Sequence, residues 1–158
     1  MTANRLALGT LVGALTLSAA GYLVFGVAFP RFFTDFMNAG SATGVARESP
    51  LPGYVAVAML SYGLLVTLAV ASLDAVPTVR GGAAAGATVS FLLWLTADFM
   101  LYGISNIGNV AGILVDPTIE LVLGAVAGGL IAALFRKIPT ASTRGLSGAT
   151  DRTGQAAA

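Results

Sequence analysis

Four long apolar stretches constrain the fold of this chain more than any other feature. They cover about residues 6–29, 54–73, 83–104 and 118–135. A membrane-spanning helix needs about 20 mostly apolar residues, so each stretch is long enough to cross a bilayer. The composition agrees, with 56% hydrophobic and 9% charged residues against about 25% charged in soluble domains. The sequence therefore predicts an all-α, polytopic membrane protein, a four-transmembrane-helix bundle surrounded by the lipid bilayer.

The domain organisation follows from where the apolar pattern stops. The bundle is predicted to form one domain over residues 1–137, and residues 138–158 lack an apolar period and are predicted to be a disordered cytoplasmic tail. The first stretch has an alternative interpretation, because Arg5 and the small residues Ser18-Ala19-Ala20 resemble parts of a signal peptide. The apolar run continues to Phe29, which favours an uncleaved helix.

Asp116-Pro117 is typical of a helix start, with Asp as the cap and Pro at the first helical position, where no amide donor is needed. This predicts that the fourth helix begins at about residue 118. The preceding residues 105–115 are apolar but too short to span, which makes them a candidate re-entrant segment of the outer leaflet.

Several function classes are excluded by the residue types that the chain lacks. It has no Cys and no His, so disulfides, thiolate chemistry and imidazole-ligated metal sites are unavailable. The formal net charge is +1 and the basic residues are scattered, which excludes a nucleic-acid surface. We predict no cofactor, no metal, no nucleic-acid partner and no catalytic residue.

The basic residues predict the orientation in the membrane. Arg31 and Arg47 lie in one loop, whereas the other six basic residues lie on the opposite side: Arg5, Arg80, Arg136, Lys137, Arg144 and Arg152. Because cytoplasmic loops carry an excess of Lys and Arg, both termini are predicted to be cytoplasmic. Loops 31–53 and 105–117 then face the extracytoplasmic side.

Asp98 is the most informative single residue, because it lies inside the third apolar stretch. An Asp at a helix centre costs about 2.5 to 3.5 kcal/mol on insertion scales, so an intramembrane acid suggests a functional site. Steps of three and four residues place it on a polar stripe with Ser90, Trp94, Tyr102 and Ser105. The competing interpretation is a structural hydrogen-bond seam between helices.

Glu120 is the second candidate acid. It shares a helix face with Gly124 and Gly128, a small-residue spacing that favours helix packing and predicts that Glu120 points into the bundle. The alternative is a shallow Glu that extends to water. Counted from a helix start near residue 118, Glu120 would lie about 5 Å deep and Asp98 about 9 Å deep, both in the outer half of the membrane.

Two arrangements would stabilise these buried acids. In the first, Arg47 folds over the bundle and pairs with Asp98 or Glu120. In the second, Asp98 carries a proton at neutral pH because burial and a second acid disfavour its ionised form. The candidate polar or proton site comprises Asp98, Glu120, Arg47, Tyr102 and Asn106.

Three short motifs carry a resemblance to a known family: residues 42–48 (Ala-Thr-Gly-Val-Ala-Arg-Glu), 98–106 (Asp-Phe-Met-Leu-Tyr-Gly-Ile-Ser-Asn) and 114–116 (Leu-Val-Asp). Over roughly residues 20–135 the chain resembles a group of uncharacterised small bacterial membrane proteins with four predicted helices. The resemblance implies a bacterial membrane location and no particular reaction. It singles out Thr43, Gly44, Arg47, Asp98, Tyr102, Asn106 and Asp116.

The sequence favours a non-enzymatic binding, carrier or accessory component with a polar patch on the extracytoplasmic side. The expected partners are the lipid bilayer and either further copies of the chain in a homo-oligomer or a second membrane protein. The alternative is a small proton-coupled transporter that works as an oligomer through Asp98. An intramembrane hydrolase is a third candidate, and it would need Asp98 and Glu120 in contact.

Overall fold

The computed structural model describes residues 1–31, 50–74, 76–105 and 108–138. Its helices are α1 (Ala3–Gly21), α2 (Pro52–Ala71), α3 (Val79–Ile104) and α4 (Val110–Lys137), and α1 continues as a π-helical segment over Tyr22–Ala28. All four are long and apolar enough to cross a membrane. The predicted all-α four-helix bundle of a multi-pass membrane protein is confirmed.

The helix starts are set by local chemistry. Thr2 caps α1, Thr78 caps α3 and Asn109 caps α4, and each side chain accepts a hydrogen bond from a backbone amide in the first turn. Pro52 opens α2, where its missing amide hydrogen costs nothing. Arg136 and Lys137 lie in the last turn of α4, where positive charge offsets the helix dipole.

The predicted start of the fourth helix is wrong by about two turns. α4 begins at Val110, because Asn109 Oδ1 accepts from the Gly112 amide at 2.9 Å and caps the helix there. Asp116 and Pro117 therefore lie inside α4, both buried. Pro117 removes one backbone hydrogen bond, which a membrane helix tolerates where neighbouring helices cover it. Residues 110–115 are the opening turns of α4 and not a re-entrant segment.

α3 and α4 form the tightest helix pair, and glycine makes it possible. Gly82 and Gly86 of α3 meet Gly124 and Gly128 of α4 backbone to backbone. A Cβ placed on Gly86 would overlap the carbonyl oxygen of Gly124. Small residues permit this close approach in membrane helices. We call these four residues the glycine seam; it fixes α3 and α4 as antiparallel neighbours.

A second packed region lies where α1 and α2 meet the C-terminal half of α4. Val66 and Val70 of α2 are fully buried with Ile131 and Phe135 of α4. Arg5 closes this end of the core, with its guanidinium 4.3 Å from the Phe135 ring centre and donating to the Phe135 carbonyl at 3.3 Å. The apolar core therefore fills the half of the bundle that holds the start of α1 and the end of α4.

Candidate functional site

Three acidic side chains are buried in the other half of the bundle. Asp98 of α3 is 3% exposed, and Asp116 and Glu120 of α4 are 2% and 6% exposed. At 1.5 Å per residue, Asp98 lies about 9 Å from the end of α3, and Asp116 lies about 9 Å from the start of α4. Glu120 lies about 15 Å along α4, deeper than predicted, because α4 starts earlier. We call these three residues the acid cluster.

The acids of this cluster are direct neighbours. Asp98 and Asp116 are within hydrogen-bonding range of each other, and Glu120 is within electrostatic range of both. Tyr62 of α2 donates its hydroxyl to Glu120 Oε2 at 3.1 Å. Three helices therefore contribute to one polar cluster, in which carboxyl groups face each other across the α3–α4 contact.

Several polar atoms around the cluster have no hydrogen-bond partner. They are buried and comprise Asp98 Oδ2, Asp116 Oδ1, Ser90 Oγ and Trp94 Nε1. A buried polar atom without a partner costs about 1 to 3 kcal/mol. Such a concentration in one place is unusual in a folded protein and is typical of a site that holds water, an ion or a ligand.

A cavity of about 280 Å³ adjoins the acid cluster. Its inner wall contains Asp116, Glu120, Tyr62 and Trp94, whereas its rim contains Tyr22 of the π-helical segment and Val55 of α2. Tyr22 and Val55 are 70% and 47% exposed, so the cavity opens to the surface between these two elements. The opening lies between two segments that belong to helices long and apolar enough to cross a membrane.

The shape of the rim depends on the π-helical segment. The Phe29 amide donates to the Val24 carbonyl at 2.7 Å, a five-residue step that continues the wider winding. Short π-helical turns are rare and are frequently found at functional sites. Here this winding carries Tyr22 and Phe25 into the cavity lining.

The basic residues of the described helices lie far from the acids along the helix axes. Arg5 opens α1 and Arg80 opens α3, whereas Arg136 and Lys137 end α4. The acid cluster lies near the end of α3 and the start of α4, at the opposite end of the bundle. The interactions that reach the three carboxyl groups come from one another and from Tyr62. Arg31 follows the π-helical segment and is the described basic residue at the same end as the acid cluster. The three carboxyl groups favour binding of a proton or a cation.

The structure brings together only part of the predicted site. Asp98 and Glu120 share one cluster, and the predicted interior orientation of Glu120 is confirmed by its burial. Tyr102 does not join them, since it is 41% exposed near the end of α3. Arg47 and Asn106 lie outside the described residues, as do residues 139–158 of the tail predicted over 138–158. The proposed pairing of Arg47 with an acid stays a prediction.

The predicted site did not include Asp116 or Tyr62, although the family resemblance singled out Asp116. Asp116 had a detectable signal, because it precedes Glu120, Gly124 and Gly128 by steps of four and so continues their helix face. The adjacent proline made a helix start the simpler interpretation. Tyr62 had no such signal, because its partner is on another helix.

The residue types at this site limit which ligands it can bind. In the described part of the chain, no group of three or more His, Cys, Asp or Glu side chains is arranged to hold a metal ion. Carboxyl groups near an apolar cavity can bind a proton, or a cation together with an apolar body.

Comparison with protein-family models, with curated proteins and with solved structures finds no match. The functional assignment must therefore come from the geometry of the site.

Proposed function

We propose that this chain is a non-enzymatic membrane protein that binds a ligand through the acid cluster at its cavity. It would serve as a binding, carrier or accessory component of a bacterial plasma membrane, with both termini cytoplasmic. The observation that carries the proposal is Asp116 Oδ1, a buried carboxyl oxygen without a hydrogen-bond partner in a residue that lines the cavity. A ligand donor in the cavity would satisfy this acceptor.

The arrangement supports binding better than catalysis. A paired-aspartate hydrolase needs substrate and water between both carboxyl groups. Asp98 and Asp116 are neighbours, but of these two only Asp116 is in the cavity lining. In a hydrolase centred on Asp98 and Glu120, only Glu120 lines the cavity. A substrate bond in the cavity would therefore meet one carboxyl group of that pair.

Access to the cavity can be tested with a single thiol, because the chain contains no cysteine. Met59 lines the cavity, so Met59→Cys should react with N-ethylmaleimide where water or solutes enter. In full-length protein in lipid nanodiscs, we expect a labelling rate at least tenfold above that of Val66→Cys. Val66 is fully buried in the same helix and provides the matched control.

A second control separates the cavity from the lipid-facing surface. Leu92 is 53% exposed on α3, and a cysteine there should react slowly because a thiol in hydrocarbon does not ionise. Equal labelling of Met59→Cys and Val66→Cys would mean that the cavity is closed, and the binding proposal would be wrong.

The alternative function is a proton-coupled transporter that works as an oligomer through Asp98. It is favoured by the juxtaposition of three carboxyl groups and a tyrosine hydroxyl, which could pass a proton between neighbours. From Glu120 to the far end of α4, however, the buried residues are all apolar or glycine. Residues 121–135 of α4 contain no side chain that carries a proton, so transport would require groups of other helices, a second conformation or a second copy.

A further inference from the structure

We infer that the cavity takes the amine end of a membrane-dissolved amphiphile, with the cationic nitrogen at Asp116 and Glu120. This inference rests on the ligand-binding function proposed above and names the chemical class of the ligand. It also commits to an access route, from the bilayer through the opening between the π-helical segment and α2.

The carboxyl groups of the site favour a cationic head over an anionic or neutral one. Three carboxyl groups converge, and Asp116 Oδ1 lacks a hydrogen-bond donor. A protonated amine supplies both the missing donor and the positive charge, and charge-assisted bonds of this kind are about twice as strong as neutral ones. An anion would be repelled, and a neutral alcohol would supply a donor without the charge.

The aromatic lining supports the same class of ligand. Tyr22, Phe25, Tyr62 and Trp94 all contribute to the cavity. Tyr62 and Trp94 meet edge to face, with ring centres 6.5 Å apart and planes at 65°. Aromatic faces attract cations by about 0.5 to 2 kcal/mol each when water is excluded, and aromatic groups beside a carboxylate are a common amine-binding arrangement. Trp94 Nε1, which lacks a hydrogen-bond partner, adds a donor for a further polar group of the ligand.

The size and opening of the cavity explain why the ligand would be an amphiphile. About 280 Å³ is slightly smaller than the usual ligand pocket, which begins at about 300 Å³, and is enough for a head group and a short apolar body. The rim residues Tyr22 and Val55 are exposed and apolar or aromatic. A longer tail could therefore leave between them into the hydrocarbon of the membrane without losing its apolar surroundings.

Trp94 provides a built-in reporter, because it is the only tryptophan in the chain and lines the cavity. Bromine quenches indole fluorescence on contact. We therefore choose 4-bromophenethylamine and the matched 2-(4-bromophenyl)ethanol, which share the brominated ring and differ in the head group. Each is titrated against full-length protein in nanodiscs of neutral lipid, with the unbrominated amine as competitor.

We expect saturable quenching by the amine, reversed by its unbrominated form, with an affinity at least tenfold above that of the alcohol. Asp116→Asn should reduce the amine affinity to that of the alcohol. Glu120→Gln provides a second variant if Asp116→Asn does not fold. Asp74→Asn is the control, because Asp74 is exposed in the link after α2, and it should bind the amine as the unmodified chain does.

The outcomes separate this inference from the function on which it rests. Saturable quenching of equal affinity by amine and alcohol would overturn the amine class and leave ligand binding intact. Full amine affinity in both carboxyl variants would overturn the role of the acid cluster. No saturable quenching by the amine, in protein whose Met59→Cys variant is labelled rapidly, would overturn the amine inference alone. The same result with a Met59→Cys variant that stays unlabelled would overturn both.

Discussion

One face of α4 has two halves that differ in packing and in hydrogen bonding. Its positions 116, 120, 124, 128 and 132 follow each other by four residues, and all are buried. In the glycine half, Gly124 and Gly128 touch the backbone of α3, and no space remains for a side chain. In the acid half, Asp116 and Glu120 border a cavity, and Asp116 Oδ1 has no hydrogen-bond partner. The same four-residue spacing therefore includes a part of the bundle with close backbone packing and a part where a buried polar atom has no hydrogen-bond partner.

The difference indicates a division of labour between stability and function. Close backbone packing gains van der Waals contact, which is the main source of helix association in lipid. Buried carboxyl groups that lack hydrogen-bond or charge partners destabilise the folded protein. Such groups inside a membrane bundle usually have a functional role. The glycine half can hold α3 and α4 together while the acid half remains incomplete.

The largest expected effect comes from filling the glycine half. Gly86→Ala adds only a Cβ, which would overlap the Gly124 carbonyl oxygen. Alanine favours helix over glycine by about 1 kcal/mol, so any loss must come from packing. We expect the free energy of unfolding, measured by titration with sodium dodecyl sulfate, to fall by about 3 kcal/mol.

The matched control for this substitution is Gly103→Ala in the same helix. A Cβ on Gly103 would meet nothing within 4 Å, so the change should leave the unfolding free energy unchanged or raise it by up to about 1 kcal/mol. If Gly86→Ala also raised the unfolding free energy, the two halves of the α4 face would not differ in packing as described.

An intermediate effect is expected from the hydrogen bond that joins α2 to the acid half. Tyr62→Phe removes the donor to Glu120 Oε2 and leaves a buried oxygen with one partner fewer. The unfolding free energy should fall by about 1 to 3 kcal/mol. Tyr54→Phe is the control, because Tyr54 is 77% exposed in the same helix. Equal behaviour of the two variants would mean that the Tyr62 bond adds nothing to the stability of the acid half.

How far the sequence predicts this molecule differs between the two halves. The four helices follow from the length of apolar stretches, which a bilayer imposes directly. The interior position of Glu120 follows from its spacing to Gly124 and Gly128, because a helix repeats locally. The predicted helix start at Asp116 is wrong, because an Asp-Pro dipeptide can either begin a helix or lie inside a membrane helix. The position of Tyr62 beside Glu120 and the shape of the cavity depend on how α1 and α2 pack against α4. No local sequence pattern specifies that packing.

The smallest expected effect on stability comes from Asp98→Asn, and this variant separates the remaining interpretations of the acid half. Asp98 Oδ2 has no hydrogen-bond partner, and an asparagine amide in its place could donate to Asp116. We expect the unfolding free energy to change by less than about 1 kcal/mol. A purely structural seam instead predicts a loss comparable to that of Tyr62→Phe.

Flux measurements on the same variant test the alternative function. A proton-coupled transporter predicts pH-driven flux in proteoliposomes, which Asp98→Asn abolishes while the protein still inserts. A protonated carboxyl band in the infrared spectrum, lost in Asp98→Asn, would identify Asp98 as the proton carrier, whereas unchanged stability without flux leaves ligand binding as the role of this half.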